Sequence, residues 1–271
     1  MSDQVAVIGL GATGAFAARA AFDLGYKVDI YNMVDTPNLT PPGAFWLHWL
    51  PEDMTGEFEA TPIYIMGKGT EKGYLNRQWG RTIAKGLSSS FPSKAVWEQG
   101  YHPAKILPKI VPDECEIMMI PYPLSDVDVR DLAIKYAAVF QTFPSKDSKA
   151  FQPPLLPYIA GAKFATDDPT SNWVIYNGTD KGLVVREASL WGNHFVEFPK
   201  NVSLSEVQLD FDLSGFQHVV LRDIDPRTQP WEGKIDPKVH YVGRWATWDR
   251  KYLSHDAYKH TQKILKKVQN G

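Results

Sequence analysis

The chain has 271 residues, 44% hydrophobic and 22% charged, with a formal net charge of −2, enough for one large domain or two interleaved ones. That balance supplies no general drive toward nucleic acid or an anionic membrane, although it does not bar a nucleic-acid-linked substrate at a local site. The single cysteine, Cys115, excludes an intramolecular disulfide and a multi-cysteine metal site.

No apolar run reaches the roughly 18–20 residues of a membrane span. The chain passes almost at once from Met1 into an apolar run, so no signal peptide is expected and the expected setting is cytoplasmic. Val5-Ala6-Val7-Ile8 is that run, continuous as in a strand buried on both faces of a parallel sheet. Gly9-Leu10-Gly11-Ala12-Thr13-Gly14 follows, then an Ala-rich helix over 15–24, which Gly25 is placed to end. Residues 27–31 read as a second strand. Strand, glycine turn, helix and strand in about 30 residues form the context of a dinucleotide fingerprint.

Residues 34–51, rich in Pro, Gly and Trp, read as irregular, and 52–125 are mixed. A helix is expected over 127–136 and a strand over 137–142, stopped by Pro144, with a Pro-rich linker over 153–157. Residues 172–223 alternate as strands do, at 173–176, 183–186, 207–211 and 218–221, and predict an antiparallel sheet. A helix with lysines at its end is expected over 255–268, a charge placement that suits its dipole. The expected fold class is α/β: a Rossmann-like dinucleotide-binding domain with an inserted, smaller antiparallel β-sheet substrate part.

The glycines have distinct duties. Gly9 permits the tight turn, Gly11 lets backbone approach a pyrophosphate, and Gly14 lets helix and strand pack closely, while the helix start at Ala12 and Thr13 supplies N–H donors. The usual ribose-binding carboxylate is replaced by Asn32, a weaker partner for a hydroxyl. No Arg or Lys follows in Met33-Val34-Asp35 to meet the 2′-phosphate of NADP. The motif alone leaves NAD and FAD open.

Further segments resemble the flavoprotein family of amine oxidases, protoporphyrinogen oxidase and UDP-galactopyranose mutase, the mutase most of all. Pro42-Gly43-Ala44-Phe45-Trp46 stands where that family has a Gly-Gly segment, with one glycine kept. Tyr136-Ala137-Ala138-Val139-Phe140-Gln141-Thr142 is similar to its later strand. Val242-Gly243-Arg244-Trp245-Ala246-Thr247-Trp248 is similar to its Gly-Arg-aromatic strand, and Ser254-His255-Asp256-Ala257 to the helix start that follows it. Val185-Arg186-Glu187 with His194-Phe195 resembles the segment whose arginine faces flavin and substrate.

The resemblance implies FAD as cofactor, held by Gly9, Gly11, Ala12, Thr13, Gly14, Asn32, Gly43, Ala44, Thr142, Gly243, Arg244 and Asp256. It implies a discontinuous cofactor domain (1–50, 126–150, 236–271) and a substrate-binding part (51–125, 151–235).

Asp256 at a helix start also reads as a simple cap, and Trp245 and Trp248, on one face of a strand, as core packing. His48, between Trp46 and Trp49, is a candidate proton donor or substrate contact. Arg186 is a candidate for an anionic substrate group, with Arg77 and Arg81 around Trp79 as a further anion site. His255 and His260 are five apart, the wrong spacing for a metal on one helix face, so no metal is expected. Cys115 lies among acidic residues that disfavour a thiolate.

The functional expectation is an FAD-dependent oxidoreductase that takes hydride from a small amine, amino acid or hydroxylated substrate carrying an anionic group. The alternatives are a mutase-like flavin-dependent sugar-nucleotide isomerase, an NAD-dependent dehydrogenase or reductase, and a cofactor-binding protein without catalysis. The oligomeric state is left open.

Overall fold

The computed structural model describes residues 3–33, 45–144, 155–164, 171–249 and 251–270, and only the backbone of 155–160, 162, 164 and 217–223. Gly43 and Ala44 lie outside the described residues. In chain order the elements begin with β1 (Gln4–Ile8), α1 (Ala12–Phe22), β2 (Lys27–Met33), β3 (Thr61–Gly69), α2 (Glu71–Trp79), α3 (Arg81–Ala84), β4 (Val96–Gly100), α4 (Pro103–Ile110) and β5 (Glu116–Ile120). They continue with α5 (Val129–Lys135), β6 (Ala138–Gln141), β7 (Leu155–Phe164), β8 (Trp173–Gly178), β9 (Arg186–Leu190), β10 (Asn193–Glu197), α6 (Leu204–Asp210), β11 (Gln217–Ile224), β12 (Val239–Tyr241), α7 (Arg244–Thr247) and α8 (Asp256–Asn270).

Two compact units divide the chain. The first comprises Met1–Thr40, Pro103–Pro153 and Thr228–Gly271. Its strands run β12-β6-β1-β2-β5, and every neighbouring pair is parallel. Val5, Ala6, Val7 and Ile8 are all fully buried, as expected of a central strand covered on both faces. Ala6 and Ile8 face Leu132, Ala133 and Tyr136 around α5, together with Val139 and Tyr241. Helix α1 packs on β1, β2 and β6 and against α4 and α8. Its small buried residues, Ala15, Ala17, Ala18, Ala20 and Ala21, let it lie close to the sheet. Gly25, at φ +84°, turns the chain out of α1 into β2.

A polar network lies within this unit. Asp29 in β2 accepts hydrogen bonds from the Gln4 amide at 2.7 Å and the Tyr136 hydroxyl at 2.5 Å, and the Tyr31 and Tyr136 hydroxyls lie 2.8 Å apart. A carboxylate only 7% exposed is tolerable here because donors surround it. Burial and these partners push the Tyr136 hydroxyl well above the usual tyrosine range.

The second unit, Pro41–His102 and Pro154–Arg227, is built on seven strands in the order β11-β7-β10-β9-β8-β3-β4. All pairs are antiparallel except β3 with β8, which makes the sheet mixed. Ile63, Ile65, Val174, Tyr176, Ala188 and Leu190 form a core with Tyr74, Leu75 and Trp79 of α2.

Four local expectations differ from the structure. The strand expected over 183–186 begins only at Arg186, as β9 (Arg186–Leu190). Residues 207–211, expected as a strand, belong to helix α6, which starts at a capping box in which Ser203 and Glu206 each accept from the other's backbone N–H. The end of the expected linker, Leu155-Leu156-Pro157, lies in β7. Pro157 sits where β7 pairs with β11 but has run past β10, so its missing N–H removes no bond on that side. The Gly243 segment is not a strand: β12 stops at Tyr241, and Gly243 at φ +92° starts the short helix α7. Trp245 is therefore partly exposed while Trp248 is buried, and the two do not share a strand face.

Candidate functional site

The glycine turn joins β1 to α1, and its three glycines are there for different reasons. Gly9 has φ +96°, and a Cβ there would lie 2.3 Å from the Thr142 Oγ1. A Cβ on Gly14 would lie 1.9 Å from the Gly9 carbonyl oxygen. Both glycines are demanded by the protein's own packing. Gly11 is not: its backbone is extended, with φ −87° and ψ −174°, and a Cβ would meet nothing within 4 Å. Any residue adopts that conformation, so nothing internal among the described residues accounts for a glycine.

Gly11 is also the N-cap of α1. Among the described residues no side chain caps this helix, and no acid stands in its first turn. The N–H groups of a helix's first turn have no intrahelical acceptor, and the helix dipole adds partial positive charge there. Such a start is suited to an anion.

The surrounding residues hold the turn in shape. Thr142 donates from Oγ1 and from its backbone N–H to the Ile8 carbonyl, at 2.9 and 3.2 Å. Gly9 N–H donates to the Tyr31 carbonyl at 2.8 Å. Buried Asn32 accepts from the Leu10 N–H at 3.2 Å through its side-chain oxygen. That oxygen, expected to meet a ribose, thus braces the turn.

Gly243 belongs to the same neighbourhood, since a Cβ there would lie 2.5 Å from the Thr13 Cγ2. The Tyr252 hydroxyl, raised above its usual range by burial, is hydrogen-bonded to the Gly243 backbone and lies 3.0 Å from His260 Nδ1. Arg244, next in the chain, is half-buried and has no hydrogen-bond or ion-pair partner among the described residues. The structure thus brings Gly9, Gly11, Ala12, Thr13, Gly14, Asn32, Thr142 and Gly243 together, with Arg244 adjoining. Asp256 acts at the start of α8, where its carboxylate accepts from the Leu253 N–H at 2.8 Å.

The remaining expected residues lie in the second unit. Arg186 makes a two-point ion pair with Glu197, its Nε donating at 2.9 Å and its Nη2 to the other carboxylate oxygen. It also lies 5.6 Å from the centre of the Tyr176 ring. The Glu197 carboxylate, against burial, holds the guanidinium well above the ordinary arginine range.

Arg77 donates to the carbonyls of Asn177, Thr179, Gly182 and Val184, tying down the loop between β8 and β9. Trp79 carries Lys200 over its ring at 3.8 Å. His48 lies 3.8 Å from Glu98 and 5.1 Å from the Trp46 ring centre, and burial lowers its pKa against the pull of Glu98.

A pair that sequence reasoning missed lies on this sheet: His194 Nε2 and Glu187 Oε1 are 2.7 Å apart. The turn at Trp191-Gly192, both at positive φ, fixes the β9–β10 register and so puts these residues on one face. Cys115 is buried, and its thiol is pushed up to about 11, first by burial and then by Glu114. Among the described residues no cluster of three His, Cys, Asp or Glu is arranged for a metal, and no helix is long and apolar enough to cross a membrane.

No family model and no curated protein matches the sequence. Solved structures match in fold. MibH, a lanthipeptide tryptophan 5-halogenase, matches with a TM-score of 0.57 at 12% identity, over 98% of this chain and 66% of its own. A geranylgeranyl bacteriochlorophyll reductase-like protein from Thermoplasma acidophilum gives 0.53 at 12% identity, over 98% of this chain and 78% of its own. Xcc4156, a flavin-dependent halogenase from Xanthomonas campestris, gives 0.52 at 11% identity, over 98% and 70%. The chain shares with these proteins an α/β fold in which a Rossmann-like sheet is joined to a separate mixed sheet.

Proposed function

We propose that the chain is a flavin-dependent enzyme whose first unit binds FAD and whose second unit contributes to binding a small organic substrate. The observation that carries this reading is Gly11. Gly9 and Gly14 are required by the fold, whereas among the described residues nothing lies against Gly11 at the start of α1 and no side chain caps it. A glycine at that place is explained by a pyrophosphate that must approach the backbone closely.

The residues present fit the cofactor. The first-turn N–H groups of α1 would hold the pyrophosphate, while Asn32 and Thr142 keep the turn rigid and Gly243 leaves room for Thr13. Arg244, with its fixed fork of donors, answers a phosphate oxygen. When bound, the flavin supplies the redox chemistry by accepting a hydride from the substrate. The chain's own part is binding and orientation, with His48 as the proposed proton donor or substrate contact.

A small amine, amino acid or hydroxylated compound is the preferred substrate. The sugar-nucleotide reading leans on Arg186 as an anion contact, and Arg186 is paired with Glu197. The same pairing bears on the anionic group expected of an oxidoreductase substrate, but hydride transfer itself acts at the carbon bearing the amine or hydroxyl and does not pass through Arg186.

The test is the absorbance spectrum of the purified chain, before and after incubation with FAD. Flavin bands that persist through gel filtration are expected, and Gly11→Val is expected to abolish them while circular dichroism shows the fold retained. A colourless protein that gains no flavin overturns the proposal, as does unchanged FAD affinity in Gly11→Val.

A further inference from the structure

We propose that the seven-stranded sheet carries, on the face opposite α2, a binding site for a small planar aromatic molecule with an O–H or N–H donor, anchored by the His194–Glu187 pair. Directly opposed residues of neighbouring strands share a face. The register places Glu187 beside Ile175, Trp173 beside Tyr64, and Tyr64 beside Trp97. His194 is the diagonal neighbour of Glu187 across the hairpin. One row therefore crosses β10, β9, β8, β3 and β4, on the side away from the core formed by Ile65, Val174 and Ala188 with α2.

Apart from its polar end and buried Ser189, which lies opposite both Trp173 and His194, the row is apolar and aromatic. The Tyr64 and Trp97 ring centres lie 5.1 Å apart, and those of Trp173 and His194 lie 6.1 Å apart. Phe216 flanks the imidazole on another side at 5.8 Å. None of Tyr64, Trp173 and Ile175 is buried, and Trp97 is 67% exposed. A contiguous, half-open aromatic strip of this kind marks a contact surface for an apolar partner molecule.

The pair gives the strip its chemistry. The Glu187 carboxyl is held below its ordinary range, first by the hydrogen bond to His194, with Lys68 contributing. An ionised carboxylate only accepts, so in the neutral ring the proton sits on Nε2 and Nδ1 is left as an acceptor. Nδ1 has no partner among the described residues. A half-exposed ion pair adds little to stability, whereas a carboxylate that fixes a histidine tautomer creates a directed acceptor. A ligand that lays its ring on Trp173 and donates to Nδ1 uses both parts. The flavin reading of the first unit is not needed for this inference.

The test compares phenol with anisole, which keeps the ring but has no O–H to donate. The full chain is titrated while the ring carbon–proton NMR signals of its histidines are followed. Phenol is expected to shift the His194 signals and to bind about five- to ten-fold more tightly than anisole, the yield of one net hydrogen bond. In His194→Ala, phenol binding is expected to fall to the anisole level. Trp173→Leu should weaken both probes together. Glu187→Gln, which still accepts from Nε2, should keep the preference for phenol, whereas Glu187→Leu should lose it. Equal binding of phenol and anisole, unchanged phenol affinity in His194→Ala, or His194 signals that do not move at saturating phenol would each overturn the proposal.

Discussion

Replacing Gly11 and Gly14 by alanine, one at a time, separates a glycine kept for the fold from one kept for a ligand. In Gly14→Ala the new methyl would lie 1.9 Å from the Gly9 carbonyl oxygen. That is more than an ångström inside normal contact, and backbone lies on both sides of the clash. Overpacking a tight contact costs about 1–3 kcal/mol, and the absence of a flexible neighbour puts this case near the upper end. In Gly11→Ala the methyl meets nothing within 4 Å among the described residues, in a backbone conformation that alanine adopts freely. Restricting the unfolded chain contributes about 0.4–1 kcal/mol, while alanine is a poorer N-cap than glycine by a similar amount. The two terms offset, and the net change should be within about 0.5 kcal/mol. Urea unfolding of the cofactor-free chain, followed by circular dichroism, should therefore rank wild type and Gly11→Ala together, with Gly14→Ala well below them. FAD titration should reverse the emphasis, since Gly11→Ala weakens binding in a protein of undiminished stability. A Gly14→Ala protein as stable as wild type, or a Gly11→Ala protein destabilised as much as Gly14→Ala, would refute the reasoning.

Other substitutions probe the rest of the molecule. Arg186→Met strands Glu197, which is 4% exposed, and should cost about 3–5 kcal/mol, most of it regained in Arg186→Met/Glu197→Leu; urea midpoints of the single and double variants measure this. Ser203→Ala removes one half of the α6 capping box and should cost about 1 kcal/mol by the same assay. His240 is held down to about 4, chiefly by burial and then by His260 and Lys234, with Asp236 opposing. Its unfolded value is higher, so between pH 6.5 and about 4 the unfolded chain binds the extra proton. Stability should rise with pH through that window, by at most about 3 kcal/mol from this residue, and be flat above it. In His240→Phe this part of the pH dependence should vanish, and a slope unchanged from wild type would refute the assignment.

The β1–α1–β2 unit is legible in the sequence because everything that defines it is local: an apolar run, three glycines at fixed offsets and an alanine-rich helix that Gly25 ends. The sheet it belongs to is less so, since β5, β6 and β12 join it from distant stretches of chain; resemblance points to the strand at 137–142, whereas no local pattern marks β5 or β12. Val207, Leu209 and Phe211 alternate as a strand would, yet Leu209 is 85% exposed. The Ser203–Glu206 cap commits the chain to a helix there, so a local hydrogen-bond device outweighed a weak period-two pattern. Gly243 stands out in the sequence, but its positive φ turns the chain where a strand was expected. Arginines show the limit most plainly. Arg77, Arg186 and Arg244 look alike in sequence, and only the folded chain shows that the first two are engaged by carbonyls and a carboxylate.

The contact between Gly243 and Thr13 also bears on the order in which the molecule is made. During synthesis, α1 and its glycine turn emerge more than 200 residues ahead of Gly243, and β12 and α8 come with the later segment. The sheet of the second unit has all its strands by Ile224, so it is complete before the first unit can close. A nascent chain stalled near Arg227 should therefore hold a protected second sheet beside an open, protease-sensitive glycine turn. Emergence of Thr228 onward is then the event that supplies β12 and completes the five-stranded sheet of the first unit.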